Sequence, residues 1–152
     1  MATVALVGAV AACSGASESS DAVAVGSCVE VTDNSADAMQ AAVGDCSSAQ
    51  AGYRIAQVGT APLECEPANA AFAGTVDGTE TGLCLVPNFA EGNCYADAGT
   101  RPAEAVDCGA TEATFKVVKR IDGETDELLC DADASTFRTV PDPKTTFCLA
   151  KP

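Results

Sequence analysis

The cysteines are the residues of this 152-residue chain most able to do chemistry, since it contains nine of them and no histidine. Eight fall into two sets of four, and corresponding members of the sets lie 62 to 66 positions apart. Thiols in such numbers form disulfides in an oxidising compartment or hold structural zinc. Zinc sites usually bring two ligands within a few residues of each other, whereas the nearest cysteines here are ten positions apart. The spacing therefore predicts disulfides for Cys28, Cys46, Cys65, Cys84, Cys94, Cys108, Cys130 and Cys148.

Pairing within each set is favoured, because each set is complete on its own. We expect the first cysteine to pair with the second and the third with the fourth, which gives Cys28–Cys46, Cys65–Cys84, Cys94–Cys108 and Cys130–Cys148. Each loop of this size contributes about 3 kcal/mol to stability if the bond acts by restricting the unfolded chain. The spacing also allows a nested arrangement, the first with the fourth and the second with the third.

The ninth cysteine, Cys13, follows an uncharged apolar stretch over residues 1–12. That stretch has the length of a signal-peptide h-region and is shorter than the roughly 20 apolar residues that span a bilayer. Val10-Ala11-Ala12-Cys13 resembles a bacterial lipobox, in which the cysteine thiol takes a diacylglyceryl group and becomes the new N-terminus. The Ser/Ala-rich residues 13–25 would then be the lipidated cysteine and a flexible tether. The alternative is a buried apolar strand or helix with an incidental cysteine.

Charge and composition exclude several functions. The chain has 22 acidic and 8 basic residues, a net charge of −14, which argues against a nucleic-acid partner. Without histidine, Ser-His-Asp, Cys-His and HExxH chemistry is absent. The remaining catalytic hypothesis is an envelope hydrolase that uses carboxylates, with Asp45 and Asp107 before equivalent cysteines as candidates. We favour turn-forming roles for both, and we assign no catalytic residue, cofactor or metal.

Two further segments suggest a protein partner. Loops 73–81 and 122–127 could be presented by a secreted, inhibitor-like module. Lys116, Lys119 and Arg120 could meet an acidic partner, although a solvated strand face explains them as well.

The repeat extends beyond the cysteines and predicts two modules, residues 26–89 and 90–152. Seven positions after the second cysteine of each set stand Tyr53 and Phe115. Seven positions after the third stand Phe72 and Phe137. Because large apolar side chains are few, we expect all four aromatic residues in the cores.

The predicted fold is mainly β (small α+β): two tandem, disulfide-stapled modules of about four to five short antiparallel strands each. Alternating runs indicate a hairpin with strands over 115–121 and 127–130, and closing strands over 82–86 and 146–150. A short helix is expected within 35–43, with a helical turn within 66–71 and another within 131–136.

The repeated frame resembles a known family. It consists of Gly-x-Cys, Asp-Cys, an aromatic-basic-aliphatic triplet (Tyr53-Arg54-Ile55 and Phe115-Lys116-Val117) and Cys-Leu. This frame is similar to the LppU-like lipoproteins of actinobacteria and, more distantly, to septum-formation-type extracytoplasmic domains. The resemblance spans residues 26–89 and 92–152. It implies secretion and membrane anchoring, and it implies no catalytic residues.

These observations lead us to expect a non-catalytic binding or scaffolding protein at the cell envelope. It would be extracytoplasmic, either secreted or held at the membrane by lipid on Cys13, and its partner would be an envelope protein or polymer. The hydrolase and the inhibitor-like module are the alternatives.

Overall fold

The computed structural model describes residues 23–152. The expected h-region, Cys13 and most of the tether lie outside this range. Within it, no helix is long and apolar enough to cross a membrane.

Five strands of the first module close into a barrel in the order β1-β2-β4-β5-β3. Neighbouring strands are antiparallel, except that β2 and β4 run parallel where the barrel closes. The strands are β1 (Cys28–Asp33), β2 (Met39–Gly44), β3 (Tyr53–Gly59), β4 (Ala70–Val76) and β5 (Thr79–Pro87).

The second module repeats this strand order without closing. Its sheet runs β7-β6-β8-β10-β9, so that β7 and β9 are left at the edges. The strands are β6 (Cys94–Ala98), β7 (Arg101–Val106), β8 (Phe115–Asp122), β9 (Thr136–Pro141) and β10 (Lys144–Ala150). The prediction of a mainly β fold with two modules of about five strands is confirmed.

Four disulfides hold the modules, and none of them joins one module to the other. The bonds are Cys28–Cys46, Cys65–Cys84, Cys94–Cys108 and Cys130–Cys148, the pairs favoured by the sequence. In each module one bond ties the first strand to the turn after the second strand. The other ties the segment before the fourth strand to the last strand. Four disulfides indicate an oxidising, extracytoplasmic environment.

The predicted helical segments are wrong. Residues 39–44 form β2, because Met39 and Ala41 alternate into the core with a period of two. The segments expected to contain helical turns hold single turns instead, closed by hydrogen bonds from Asn69 N to Glu66 O and from Ala134 N to Asp131 O. The strands that follow them, β4 and β9, begin inside the same segments.

The predicted return strand over 127–130 is also wrong. Glu127–Leu129 form a 3₁₀ turn, capped by the Asp126 carboxylate, which accepts from Leu128 N at 2.9 Å. β8 pairs with β6 and β10 instead. The closing strands expected over 82–86 and 146–150 lie within β5 and β10.

The prediction that all four aromatic residues lie in the cores is wrong for one of them, Phe137. Tyr53, Phe72 and Phe115 are buried, but Phe137 is 43% exposed. Phe72 pairs with Leu83, the residue before Cys84, whereas Phe137 pairs with Cys148 itself. The second module thus has one more residue between its third cysteine and the ladder. Because a shift of one residue moves a side chain to the other face of a strand, Phe137 faces outward.

A glycine allows the first barrel to close. Gly74 pairs with Met39 across β4 and β2, and a Cβ built on Gly74 would lie 2.1 Å from the Met39 carbonyl oxygen. In the second module the same ladder position is Val140, since it pairs with Thr145 as Gly74 pairs with Thr81. Unlike Gly74, Val140 carries a Cβ, so a neighbouring strand could not approach it as closely as Met39 approaches Gly74. The second sheet therefore stays open at a seam between β7 and β9.

Candidate ligand-binding cleft at the open seam

The seam of the second module faces the first module and encloses a cleft of about 370 Å³. The first module lies against β7 here: Ala71 N donates to Thr100 O at 3.1 Å, and Ala103 N donates to the Tyr53 hydroxyl at 2.7 Å. Both modules contribute to the cleft, whose lining residues include Tyr53, Pro67, Asn69, Asp97, Arg101 and Arg138.

Arg138 occupies the place in the second module that Phe72 occupies in the first. It pairs with Phe147, the residue before Cys148, and so points to the inner side of the sheet. Its guanidinium carbon lies 5.3 Å from the centre of the Phe115 ring and 5.6 Å from that of Phe89. Arg favours such positions over aromatic faces, where cation–π attraction holds the planar group.

Among residues 23–152, no group accepts a hydrogen bond from the Arg138 side chain. Its nearest carboxylate oxygen is Oδ2 of Asp97, 3.7 Å from Nη2, which is beyond hydrogen-bond distance. No other acceptor among the described residues bonds the guanidinium, and the side chain is 34% exposed. The guanidinium is therefore held against the aromatic rings, and it bonds no acceptor among residues 23–152.

Two more donors line the same cleft. Arg101 donates from Nη1 to the carbonyl oxygen of Asn34, a residue outside the cleft lining. Burial raises the pKa of the Tyr53 phenol, and the charges of Arg138 and Asp97 also act on it. Tyr53 therefore keeps its proton, and its oxygen accepts a hydrogen bond from Ala103 N.

An aromatic cluster packs against two residues of the cleft, Tyr53 and Arg138. Phe89, from the connection between the modules, is completely buried. Its ring centre lies 4.5 Å from that of Tyr95 and 5.3 to 5.4 Å from those of Tyr53, Phe115 and Phe147. Because Phe89 contacts aromatic residues of both modules, it holds them in one arrangement around the cleft.

The two candidate carboxylates, Asp45 and Asp107, lie in exposed turns. Oδ1 of Asp45 accepts from Ser47 N at 2.8 Å and from Ser47 Oγ at 2.7 Å, and these bonds lower the pKa of Asp45. Oδ1 of Asp107 accepts from Gly109 N at 2.8 Å. Both carboxylates therefore close equivalent turns beside a disulfide, and neither lines the cleft.

The other sequence candidates are engaged within the molecule. Lys119 pairs with Asp131 at 2.9 Å. Arg120 bonds Asn88 Oδ1 at 3.1 Å and the Phe89 carbonyl oxygen at 3.0 Å, and so bridges the modules. For Lys116 the structure records no ion pair.

The two loops proposed for a partner differ in form. Residues 73–81 are a β-hairpin that turns at Asp77 and Gly78, both at positive φ. Residues 122–127 are held against β10, because the Thr146 hydroxyl accepts from Asp126 N and donates to Glu124 O.

Two other places were possible sites. In residues 23–152, no group of three or more His, Cys, Asp or Glu side chains has an arrangement that could hold a metal ion. A larger groove of about 640 Å³ lies at one end of the first barrel, near Asp37 and Glu80. Its lining contains no basic side chain and no aromatic ring, whereas the seam cleft contains both.

The sequence analysis missed the cleft residues Arg101, Arg138 and Asp97. Alternation along 136–140 does place Arg138 on the same face of the strand as Val140, and Phe137 on the other face. Which of those faces is inside depends on the register with β10, and the equal spacing of Phe72 and Phe137 pointed to the wrong one.

Comparisons with protein-family models, with curated proteins and with solved structures give no match to this chain. They neither support nor oppose the resemblance to the LppU-like lipoproteins. What the protein does must therefore be argued from its cysteines and its cleft.

Proposed function

We propose that this chain is an extracytoplasmic lipoprotein of the cell envelope that binds a ligand or partner without catalysis, and that Cys13 is its lipid attachment site. One observation supports this proposal above the others. The eight cysteines of the two modules pair among themselves. The ninth, Cys13, is thus left without a cysteine of this chain to pair with.

The sequence around Cys13 supports a lipid rather than a reactive thiol. An apolar stretch and small residues precede it, and a Ser/Ala-rich segment follows. A diacylglyceryl group offers two acyl chains, and each buried methylene contributes about 0.8 kcal/mol to membrane binding. The tether over 13–25 would let the modules reach away from the membrane surface.

The cleft supports a binding role. Its donors are fixed in place by aromatic packing and by hydrogen bonds across the two modules. A preformed site of this kind lowers the entropy cost of binding. The carboxylates considered for hydrolysis close exposed turns instead, which favours binding over the hydrolase alternative.

Replacement of Cys13 tests the anchor. In the cells that make the protein, the unchanged chain should take up a clickable fatty acid and partition into the detergent phase. Cys13→Ser should take up no label and partition into the aqueous phase. Ser14→Ala is the matched control, since it changes the neighbouring residue and keeps the thiol, and it should behave like the unchanged chain. Equal labelling of Cys13→Ser and the unchanged chain would show that the anchor is wrong.

A further inference from the structure

We propose that the seam cleft binds a small molecule through its carboxylate group, with Arg138 as the principal contact. This inference rests on the binding role proposed above and gives that role a site and a ligand class. It concerns the cleft alone and does not depend on lipid attachment.

The first argument is the unused hydrogen-bonding capacity of Arg138. Its guanidinium is held over Phe115 and Phe89, yet its N–H groups bond no acceptor among residues 23–152. A planar guanidinium presents two parallel donors whose spacing matches the two oxygens of a carboxylate. A guanidinium held in place, with only the Asp97 carboxylate near it at 3.7 Å and no hydrogen bond made, can bind a ligand carboxylate.

The second argument is the local charge. The chain carries a net charge of −14, so its surface as a whole repels small anions. Two of its eight basic residues, Arg101 and Arg138, nevertheless line one cleft, together with one acidic residue, Asp97, and the protonated hydroxyl of Tyr53. Basic residues thus outnumber acidic ones in this lining, on a strongly acidic protein.

The third argument is size. The cleft volume of about 370 Å³ is near the lower end of ligand pockets, which span roughly 300–1,000 Å³. Pro67, Ala68, Ala70 and Pro87 supply small apolar surface beside the polar groups. These features fit a compact carboxylate with a short carbon chain.

Asp97 competes with such a ligand for Arg138. Its carboxylate stands 3.7 Å from the guanidinium without a hydrogen bond, and its side chain is 40% exposed. A ligand carboxylate that makes two hydrogen bonds would displace this loose contact. Removing the charge of Asp97 should therefore strengthen ligand binding, whereas removing the charge of Arg138 should weaken it.

Titration with succinate, followed by amide NMR on the isotope-labelled, oxidised full chain carrying Cys13→Ser, tests the proposal. We expect saturable shifts confined to the amides in or near the cleft lining, which are those of Tyr53 and of residues 68–70, 97–101 and 136–139. Arg138→Met, which keeps the stem packed on the rings, should weaken binding by about tenfold or more, and Asp97→Asn should tighten it. Lys144→Gln removes one exposed positive charge outside the cleft and should leave binding unchanged. If Arg138→Met fails to fold, Arg138→Lys replaces it, since it keeps the charge and loses the fork.

Three results would overturn the proposal. The first is the absence of saturable shifts, and the second is equal succinate binding by the Arg138→Met chain and the unchanged chain. The third is tighter binding of inorganic phosphate than of succinate at the same ionic strength. Each of these can occur while Cys13 is still lipidated. Conversely, loss of the anchor in the Cys13 experiment would leave succinate binding intact, so the two proposals fail separately.

Discussion

Arg138 stands in the second module where Phe72 stands in the first, and this one exchange gives the two modules different interiors. Phe72 is buried in the first barrel, whereas Arg138 brings a charge onto the aromatic cluster at the seam. The exchange results from the single additional residue that the second module has between Cys130 and β9. At the scale of the residue, register therefore decides which side chains are available for chemistry.

The two phenylalanines that the sequence treats as equivalent should differ in their effect on stability. Phe72→Ala removes a buried ring and should lower the free energy of unfolding by about 3–5 kcal/mol. Phe137→Ala, at an outward-facing position, should lower it by about 1 kcal/mol or less. Denaturant titrations of the oxidised proteins measure both changes. Equal losses would contradict the register described for β9.

The Asp45 turn gives a prediction for pH. Because the hydrogen bonds from Ser47 lower the pKa of Asp45 in the folded chain, the charged carboxylate stabilises the turn at neutral pH. That contribution is lost in acid, as the pH falls through the folded-state pKa. Ser47→Ala should return the pKa of Asp45 toward its ordinary value in a carboxyl NMR titration. Asp33, whose pKa is lowered by Ser35 in the same way, should not change.

At the scale of the elements, one close contact separates a closed barrel from an open sheet. β2 and β4 can pair because Gly74 has no side chain against the Met39 carbonyl. The corresponding strands β7 and β9 are edges of the second sheet. The cleft is the space between the modules at the seam where the second sheet stays open.

Adding a Cβ at Gly74 should therefore loosen the first barrel. We expect Gly74→Ala to lower the free energy of unfolding by about 1–3 kcal/mol. It should also speed amide hydrogen exchange in β2. The control is Gly44→Ala at the other end of β2, where the new Cβ meets only Ala51 Cβ at 3.8 Å and stability should change by about 0.5 kcal/mol or less. Similar losses for the two variants would show that the contact at Gly74 does not hold the barrel closed.

Several elements could be predicted from the sequence because local patterns determine them. The similar cysteine offsets of 62 to 66 positions and the strand-like runs around Cys84 and Cys148 led to two β modules, the favoured pairs and the closing strands. The prediction of a helix within 35–43 is wrong, because the core contacts of Met39 and Ala41 favour a strand more than the capping pattern favours a helix. The cleft could not be predicted, since it depends on a ladder register and on a pairing that is absent from the second sheet.

At the scale of the whole molecule, the modules act as one unit because polar and aromatic groups cross between them. Asn88 donates to Ala51 O at 3.0 Å in the first module and accepts from Arg120 Nη1 at 3.1 Å in the second. Arg120 also lies 5.6 Å from the centre of the Phe147 ring. These contacts hold the two modules, which form the two sides of the cleft, in a fixed position relative to each other.

Removal of the Arg120 charge should weaken this junction. Arg120→Met leaves Asn88 Oδ1 and the Phe89 carbonyl without their donor and should lower the free energy of unfolding by about 1.5–3 kcal/mol. It should also broaden the amide signals that line the cleft. Lys116→Met removes a charge from the same strand and should stay within about 0.5 kcal/mol of the unchanged chain. If the Lys116 and Arg120 variants behave alike, Arg120 does not join the modules.

The intact mass of the protein extracted from the membranes of its own cells tests the central claim most directly. The measurement is made after thiol alkylation, with and without prior reduction. We predict the mass of residues 13–152 plus acyl groups, with no alkylated thiol before reduction and eight afterwards. An unprocessed chain would contradict the lipid anchor, and eight or nine thiols alkylated without reduction would contradict the disulfide-stapled fold.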